Sequence, residues 1–240
     1  MKIFLLLPAY NEAKALPSLL RAIPEKLKGL NYEVIVVDDG SSDQTVAMIK
    51  SLPITLLLHD ENKGLGAALN TGLTYILKHG QANDLVVTMD ADDTHDPALI
   101  SKMLLGDDIV IASRYCPNGR QTGVGAIRAF LSRLVSFGLK IIWPIKGATD
   151  YSSGYRAYQW SVLSRAQKIF GAELIENRGF TCMPELLMKL AAIGATVSEV
   201  PLIMHYEVKQ SESKYNALAL LRGYLSLCFG VSKTLRRYKI

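Results

Sequence analysis

Long apolar runs are missing from this 240-residue chain: no stretch reaches the ~20 uninterrupted apolar residues that a bilayer-spanning helix needs. The apolar opening, Ile3 through Leu7, is halted by Pro8 and the polar pair Asn11-Glu12, with no small-residue cleavage site beyond. It therefore reads as a buried strand rather than a secretory leader. Cysteine is scarce as well. Cys116, Cys182 and Cys228 are odd in number and far apart, which argues against a disulfide framework and a zinc pattern and points to a reducing compartment. The four histidines, His59, His79, His95 and His205, show no metal-ligand spacing. There is no internal repeat and no low-complexity linker, so repeat architectures are excluded.

What is present suits one large α/β domain with a C-terminal extension. Apolar residues make up 49% of the chain, enough for a substantial core and too many for general disorder. The net charge of +5 is unevenly placed: acids outnumber bases before residue 113, and bases outnumber acids more than twofold after it. A basic second half suggests an anionic partner there, whether phosphate, lipid headgroup or nucleic acid. Its positive charges are interleaved with lipid-like apolar residues rather than stacked aromatics, which weighs against nucleic acid.

Strand-like runs fall at 3–7, 33–37, 55–58, 85–89 and 109–112, with helix-like stretches at 16–27, 44–51, 66–78 and 97–105. Such alternation predicts a mostly parallel sheet with helices on both faces. Ser42-Asp43 reads as the cap of the second helix, and Asp96-Pro97 as a cap acid followed by proline at the first helical position. Residues 118–125 are Gly-rich and read as a mobile loop. Segments 126–143 and 217–231 are strongly apolar with only basic charges, and the second runs into Lys233, Arg236, Arg237 and Lys239. Both read as amphipathic helices lying in a lipid interface, with packing on the sheet or on a second copy as the alternative.

Chemistry-bearing residues gather just after successive strands. Pro8-Ala9-Tyr10-Asn11-Glu12 follows the first and Asp38-Asp39-Gly40-Ser41-Ser42-Asp43 the second; Asn62-Lys63-Gly64-Leu65-Gly66 follows the third and Asp90-Ala91-Asp92 the fourth. Open α/β sheets bind ligands at these strand ends, and an acid after the second strand can hold ribose hydroxyls. Glycines let a backbone approach a phosphate closely. Two carboxylates one residue apart can converge on a divalent cation, and Mg²⁺ or Mn²⁺ prefers such oxygen ligands while gripping phosphates.

In this order and spacing, residues 3–214 resemble the GT-A glycosyltransferases of family 2, and within them the dolichyl-phosphate (polyprenyl-phosphate) mannosyl- and glucosyltransferases. The subgroup is suggested by Ala112-Ser113-Arg114-Tyr115, by the run from Asp150 to Tyr158, by Glu199-Val200-Pro201 and by Ser211-Glu212-Ser213-Lys214. The resemblance implies an α/β GT-A, Rossmann-like fold: a nucleotide-sugar half at 1–112, an acceptor half at 113–215 and a basic C-terminal helix at 216–240. It implies Pro8, Tyr10, Glu12, Val37, Asp39 and Gly64 around the donor nucleotide. Asp90, Ala91 and Asp92 would frame its pyrophosphate, with Asp92 and Asp90 holding Mg²⁺ or Mn²⁺. Arg114 and Lys214 would contact donor or acceptor phosphates, and Arg128, Ser153 and Arg156 would grip the acceptor phosphate. Asp38 reads instead as a buried carboxylate shaping the Asp39 turn. Two positions depart from the family pattern. After the acidic pair it usually continues Leu-Gln-His, where this chain has Asp93-Thr94-His95, and an expected arginine is replaced by Val208 beside Lys209.

The activity so implied is inverting, metal-dependent transfer of mannose or glucose from a GDP- or UDP-linked sugar to a polyprenyl phosphate. The enzyme would sit peripherally at the cytoplasmic face of a membrane, alone, with a membrane-protein partner or as a homo-oligomer. A prenyl phosphate is already an anion near pH 7 and needs no strong general base. A sugar hydroxyl acceptor would need one, and Glu185 is the candidate, with Asp150 second. A non-catalytic nucleotide-binding scaffold is the remaining alternative. A phosphate-accepting receiver domain is not, because its paired acids follow the first strand.

Overall fold

A computed structural model describes residues 1–104, 106–206 and 217–240, with the side chains of 126–128, 217–222 and 225 outside the description. Aliphatic runs form its central strands: β1 (Ile3–Ala9), β2 (Tyr32–Asp38), β3 (Thr55–Leu58) and β4 (Leu85–Thr88). They are parallel neighbours in the order β3-β2-β1-β4. A parallel sheet covered on both faces needs apolar side chains on both sides of each strand. In β1, Phe4 and Leu6 face one core while Ile3, Leu5 and Leu7 face the other. Helix α1 (Leu16–Lys26) buries Leu16, Leu19, Leu20 and Ile23 on the second face. α2 is short (Thr45–Ile49), and α3 (Leu65–His79) buries Ala68, Leu69, Leu73 and Ile76 on the first. α3 crosses β1 so closely that a Cβ on Gly72 would lie 2.2 Å from a Leu6 methyl.

Beyond β4 the sheet continues through β5 (Ile109–Ser113) and two strands of the second half. β6 (Arg120–Thr122) leaves the main sheet, while β7 (Arg156–Gln159) and β8 (Val197–Pro201) complete the order β3-β2-β1-β4-β7-β5-β8. β7 is antiparallel to both β4 and β5. The loop entering β7 therefore arrives at the sheet edge where β4 and β5 end. The two halves of the chain are interleaved in one sheet.

The segment read as a mobile loop contributes β6, which pairs in parallel with β9 (Ile203–His205). The single helix expected at 97–105 is a 3₁₀ turn over Pro97–Leu99 followed by α4 (Ile100–Met103). Asp96 caps it as expected, accepting from the Ala98 N–H at 3.0 Å. At α2 the cap comes from Asp43, which accepts from the Thr45 N–H at 2.9 Å. The remaining helices are α5 (Ala126–Ile142), α6 (Trp160–Phe170), α7 (Cys182–Ala192) and α8 (Ala217–Tyr238). α8 is not simply an interfacial helix, because Tyr224, Leu227, Val231 and Leu235 join the core beside α7. α5 turns Leu139 inward and leaves Phe130, Leu134, Phe137 and Ile141 exposed, Phe130 by 65%. Among the described residues no helix is long and apolar enough to cross a membrane.

Candidate active site

The acidic turn after β4 is built by its own side chains. Asp92 is buried, and its Oδ1 accepts from the Thr94 hydroxyl at 2.7 Å and the Thr94 N–H at 3.2 Å. Thr94, which stands where the family pattern has glutamine, thus orients the Asp92 carboxylate. Asp93 between them has a φ of +62°, a conformation rare for a side chain larger than glycine. Burial, then the charges of Asp92 and Asp96, raise its carboxyl above the usual range. The Asp90 N–H donates to buried His95 Nδ1 at 3.1 Å, so a neutral imidazole carries its proton on Nε2. That nitrogen faces Asp90 Oδ2 at 3.8 Å. Tyr155 stacks on the ring with centroids 4.9 Å apart. On the other side a Cβ at Gly154 would stand 2.9 Å from Asp90 Oδ1, so a larger residue there would displace the Asp90 carboxylate.

This donor set fits a hard divalent cation. Its oxygens are carboxylate oxygens, the ligands that Mg²⁺ and Mn²⁺ prefer, and the Asp92 and Asp96 charges add to burial in raising the neighbouring Asp93 carboxyl. Among the described residues no group of three His, Cys, Asp or Glu side chains forms a complete cage. Asp90 and Asp92 would be the protein's ligands to such an ion, with diphosphate and water oxygens in the other positions, as is usual for Mg²⁺.

The loops after β1, β2 and β3 interlock beside this turn. Asn11, at a φ of +58°, accepts through Oδ1 from the Ser42 N–H at 2.8 Å, and the Glu12 N–H donates to Thr45 Oγ1 at 2.9 Å. These bonds fix the backbone between Pro8 and Glu12, including Tyr10. Asp38 shapes the next turn by accepting from the Ser41 N–H at 2.9 Å. Asp39 accepts from Lys63 N–H at 2.9 Å, Gly64 N–H at 2.8 Å and His59 Nδ1 at 2.7 Å. It is therefore the clasp of the Gly64 loop. The Val37 side chain lies wholly in the core, opposite Pro8 in the β1–β2 register. Ala91 is buried within the acidic turn.

In the second half several expected contacts are spent internally. Arg114 donates from Nε to Asp150 Oδ2 at 2.8 Å and from Nη2 to Asp150 Oδ1 at 2.7 Å. Burial disfavours its charge, but Asp150 outweighs burial and raises its pKa. Asp150, fully buried, also takes the Ser153 N–H at 3.0 Å, and Ser153 Oγ donates to the Ala112 carbonyl at 2.7 Å. Arg156 is completely enclosed and donates to the carbonyls of Met183 and Tyr151, both at 2.7 Å. Ser153 thus ties the loop before β7 to β5, and Arg156 ties β7 to α7, with their side chains buried in this structure. Glu185 is buried and accepts from Glu176 N–H, Asn177 N–H, Asn177 Nδ2 and Lys189 Nζ, all within 3.0 Å. With every lone pair occupied, neither Glu185 nor Asp150 is placed to serve as a base. Lys214 and the side chain of Arg128 lie outside the described residues.

A glycosyl transferase family 2 sequence model matches residues 5–165. The chain belongs to that family. It is a glycosyltransferase, and two of its relatives carry mannosyltransferase names. The family 2 transferase is 31% identical over 226 residues to the undecaprenyl-phosphate mannosyltransferase of Micrococcus luteus, over 89% of this chain and 87% of that one. It is 33% identical over 198 residues to the dolichol-phosphate mannosyltransferase of Pyrococcus furiosus, over 79% of this chain but 53% of the relative, about half its length. Among solved structures, glucosyl-3-phosphoglycerate synthase from Mycobacterium tuberculosis in complex with Mn²⁺, UDP and phosphoglyceric acid aligns at a TM-score of 0.68. That match has 18% identity over 100% of this chain and 79% of that one, and it shows the GT-A fold.

Sequence reasoning missed His95 as the support of Asp90, Gly154 as its close neighbour and Lys189 as the partner of Glu185. The Glu185/Lys189 spacing of four was the one available signal, and on a helix it normally marks a surface pair. A cavity of about 900 Å³, lined in part by Trp143, Ile145, Lys146 and Leu235, opens at the N-terminal ends of β5 and β8. It lies at the opposite sheet edge from these loops.

Proposed function

We propose that this family 2 transferase moves a hexose, mannose or glucose, from a GDP- or UDP-linked sugar to a polyprenyl phosphate at the cytoplasmic surface of a membrane, with inversion at the anomeric carbon. The observation that carries the choice of acceptor is the saturation of Glu185 and Asp150 by internal donors. A hydroxyl acceptor needs a base within reach. A phosphate monoester, with a second pKa near 6, arrives largely ionised. The names of the Micrococcus and Pyrococcus relatives support the same choice.

Asp92, oriented by Thr94, and Asp90, backed by His95 and Gly154, would hold Mg²⁺ or Mn²⁺. When bound, the cation supplies positive charge to the departing diphosphate. The Pro8–Glu12 and Asp39–Gly64 loops would enclose the nucleotide. Arg114, fixed by Asp150, would hold positive charge at the end of β5, where it favours the developing negative charge. The exposed apolar stripe of α5, flanked by Arg133 and Lys140, would seat the enzyme on lipid beside a membrane-held acceptor.

The test is a transfer assay with purified protein, Mg²⁺ or Mn²⁺, a panel of GDP- and UDP-sugars and a polyprenyl phosphate. Lipid-linked sugar is expected with one donor. Asp92→Asn should lower kcat/KM by about a thousandfold, the scale of losing a central electrostatic contact. Nucleotide binding without product from any donor would instead favour the scaffold reading.

A further inference from the structure

A buried charge network joins α7, α8 and residues 173–178, away from the groups assigned to sugar transfer. Lys189 on α7 is wholly enclosed. Its ammonium donates to Glu185 Oε1 at 2.6 Å, to Glu176 Oε2 at 2.9 Å and to the Glu173 carbonyl. All three ammonium protons are used. Glu185, one turn earlier, takes the Glu176 N–H at 3.0 Å, the Asn177 N–H at 2.9 Å and Asn177 Nδ2 at 2.8 Å. A buried ion pair is weak evidence for stability because desolvation offsets its attraction. Here the pair spends its remaining bonds on the backbone of 173–177, so its effect is to fix that segment's shape.

The segment's other side bears on the Gly64 loop. The Arg178 carbonyl accepts from the Gly66 N–H at 2.9 Å, and the Ile175 carbonyl accepts from Asn70 Nδ2 at 2.8 Å. A Cβ on Gly66 would fall 1.9 Å from the Asn177 carbonyl oxygen, and one on Gly64 2.6 Å from the Arg178 oxygen. The loop thus cannot rise while the segment stays in place. From the third side, Thr234 of α8 donates to Glu176 Oε2 at 3.1 Å, and Arg237 pairs with Glu173.

We propose that residues 173–178 form a strap, pinned by Glu185 and Lys189, through which α8 sets the Lys63–Gly66 loop and hence the affinity of the site for a nucleoside diphosphate. Glu185, Lys189 and Thr234 are positioning residues in this scheme and touch no reacting atom. The scheme rests on the reading of the Asp39–Gly64 loop as part of the nucleotide site.

Thr234→Val combined with Arg237→Gln, in the full chain, cuts the α8 side of the strap. Hydrogen exchange at the Gly64 and Gly66 amides should become about tenfold faster, the scale of one lost charge-assisted hydrogen bond. Amides of β1 and β4 should stay unchanged, which a general loss of stability would not allow. Calorimetry with GDP and with UDP in Mg²⁺ should show about tenfold weaker binding of whichever nucleotide the wild type prefers, and donor KM should rise with kcat retained. Thr234→Ser combined with Arg237→Lys should restore both readouts. Thr234→Val alone, nearly isosteric, gives the same readout in smaller measure if the double variant does not fold. Unchanged exchange at Gly64 and Gly66 would overturn the strap. Faster exchange in a protein whose wild type binds neither nucleotide would keep the mechanical link and overturn the nucleotide assignment.

Discussion

At Asp150 the cost of burying a carboxylate is met chiefly by Arg114. Burial alone raises its pKa, but the Arg114 guanidinium and the N–H groups around it outweigh that and hold it below its ordinary value of 3.8. A carboxylate depressed in the folded state stabilises the protein above its unfolded pKa, and that contribution is lost as pH falls through the lower folded value. The expected result is an acid-sensitive loss of stability beginning below about pH 4. Asp150→Asn should cost about 3 kcal/mol at pH 7, because it leaves Arg114 buried without its counter-charge, and should flatten the acid limb. Denaturant melts at pH 7 and pH 3 check this; equal slopes in both proteins would contradict it. The Asp90 and Asp92 pair was legible because a strand end and a one-residue spacing are both local. The partners of Asp150 and Glu185 were not, because Arg114 lies 36 residues away and the Asn177 donors sit in a loop with no periodic signal.

Among the elements, α5 shows the difference between a pattern and its packing. Phe130, Leu134, Phe137 and Ile141 recur at helical spacing, as a core-facing stripe does, yet they are exposed by 65%, 52%, 61% and 65%. Leu139 and the buried Ser136 mark the face that meets the protein. Changing the four exposed residues to serine should leave the melting temperature within a few degrees, since little burial is lost on folding. Binding to vesicles containing anionic lipid should fall more than about tenfold, as their apolar area would drive insertion. Flotation with such vesicles measures it, and undiminished binding would remove α5 from the interface. The first four strands were legible from aliphatic runs, whereas β7 was not. Its sequence, Arg-Ala-Tyr-Gln, shows no apolar run, and it is held by pairing on both sides and by the buried bonds of Arg156.

For the whole molecule, α8 resembles a detachable basic tail in sequence and behaves as part of the core in structure. Burying Leu227, Val231 and Leu235 alone contributes about 5–9 kcal/mol, comparable with the net stability of an entire domain. Deleting 217–240 should therefore abolish a cooperative thermal transition rather than merely release the protein from lipid. A truncated chain melting within a few degrees of the full one would contradict this. The sequence could not separate these outcomes, since apolar residues with cationic edges suit lipid and core alike.

The reversed strand β7 also governs how the molecule comes into being. During synthesis β4 emerges with one flank covered by β1 and the other open, and its permanent neighbour is not made until residues 156–159 appear. For some seventy residues of translation, Leu85, Val86 and Val87 form an unpaired apolar edge, a template for pairing with another nascent chain. Pairing with residues 156–159 closes that edge and completes the sheet beside the acidic turn that β4 carries at its tip.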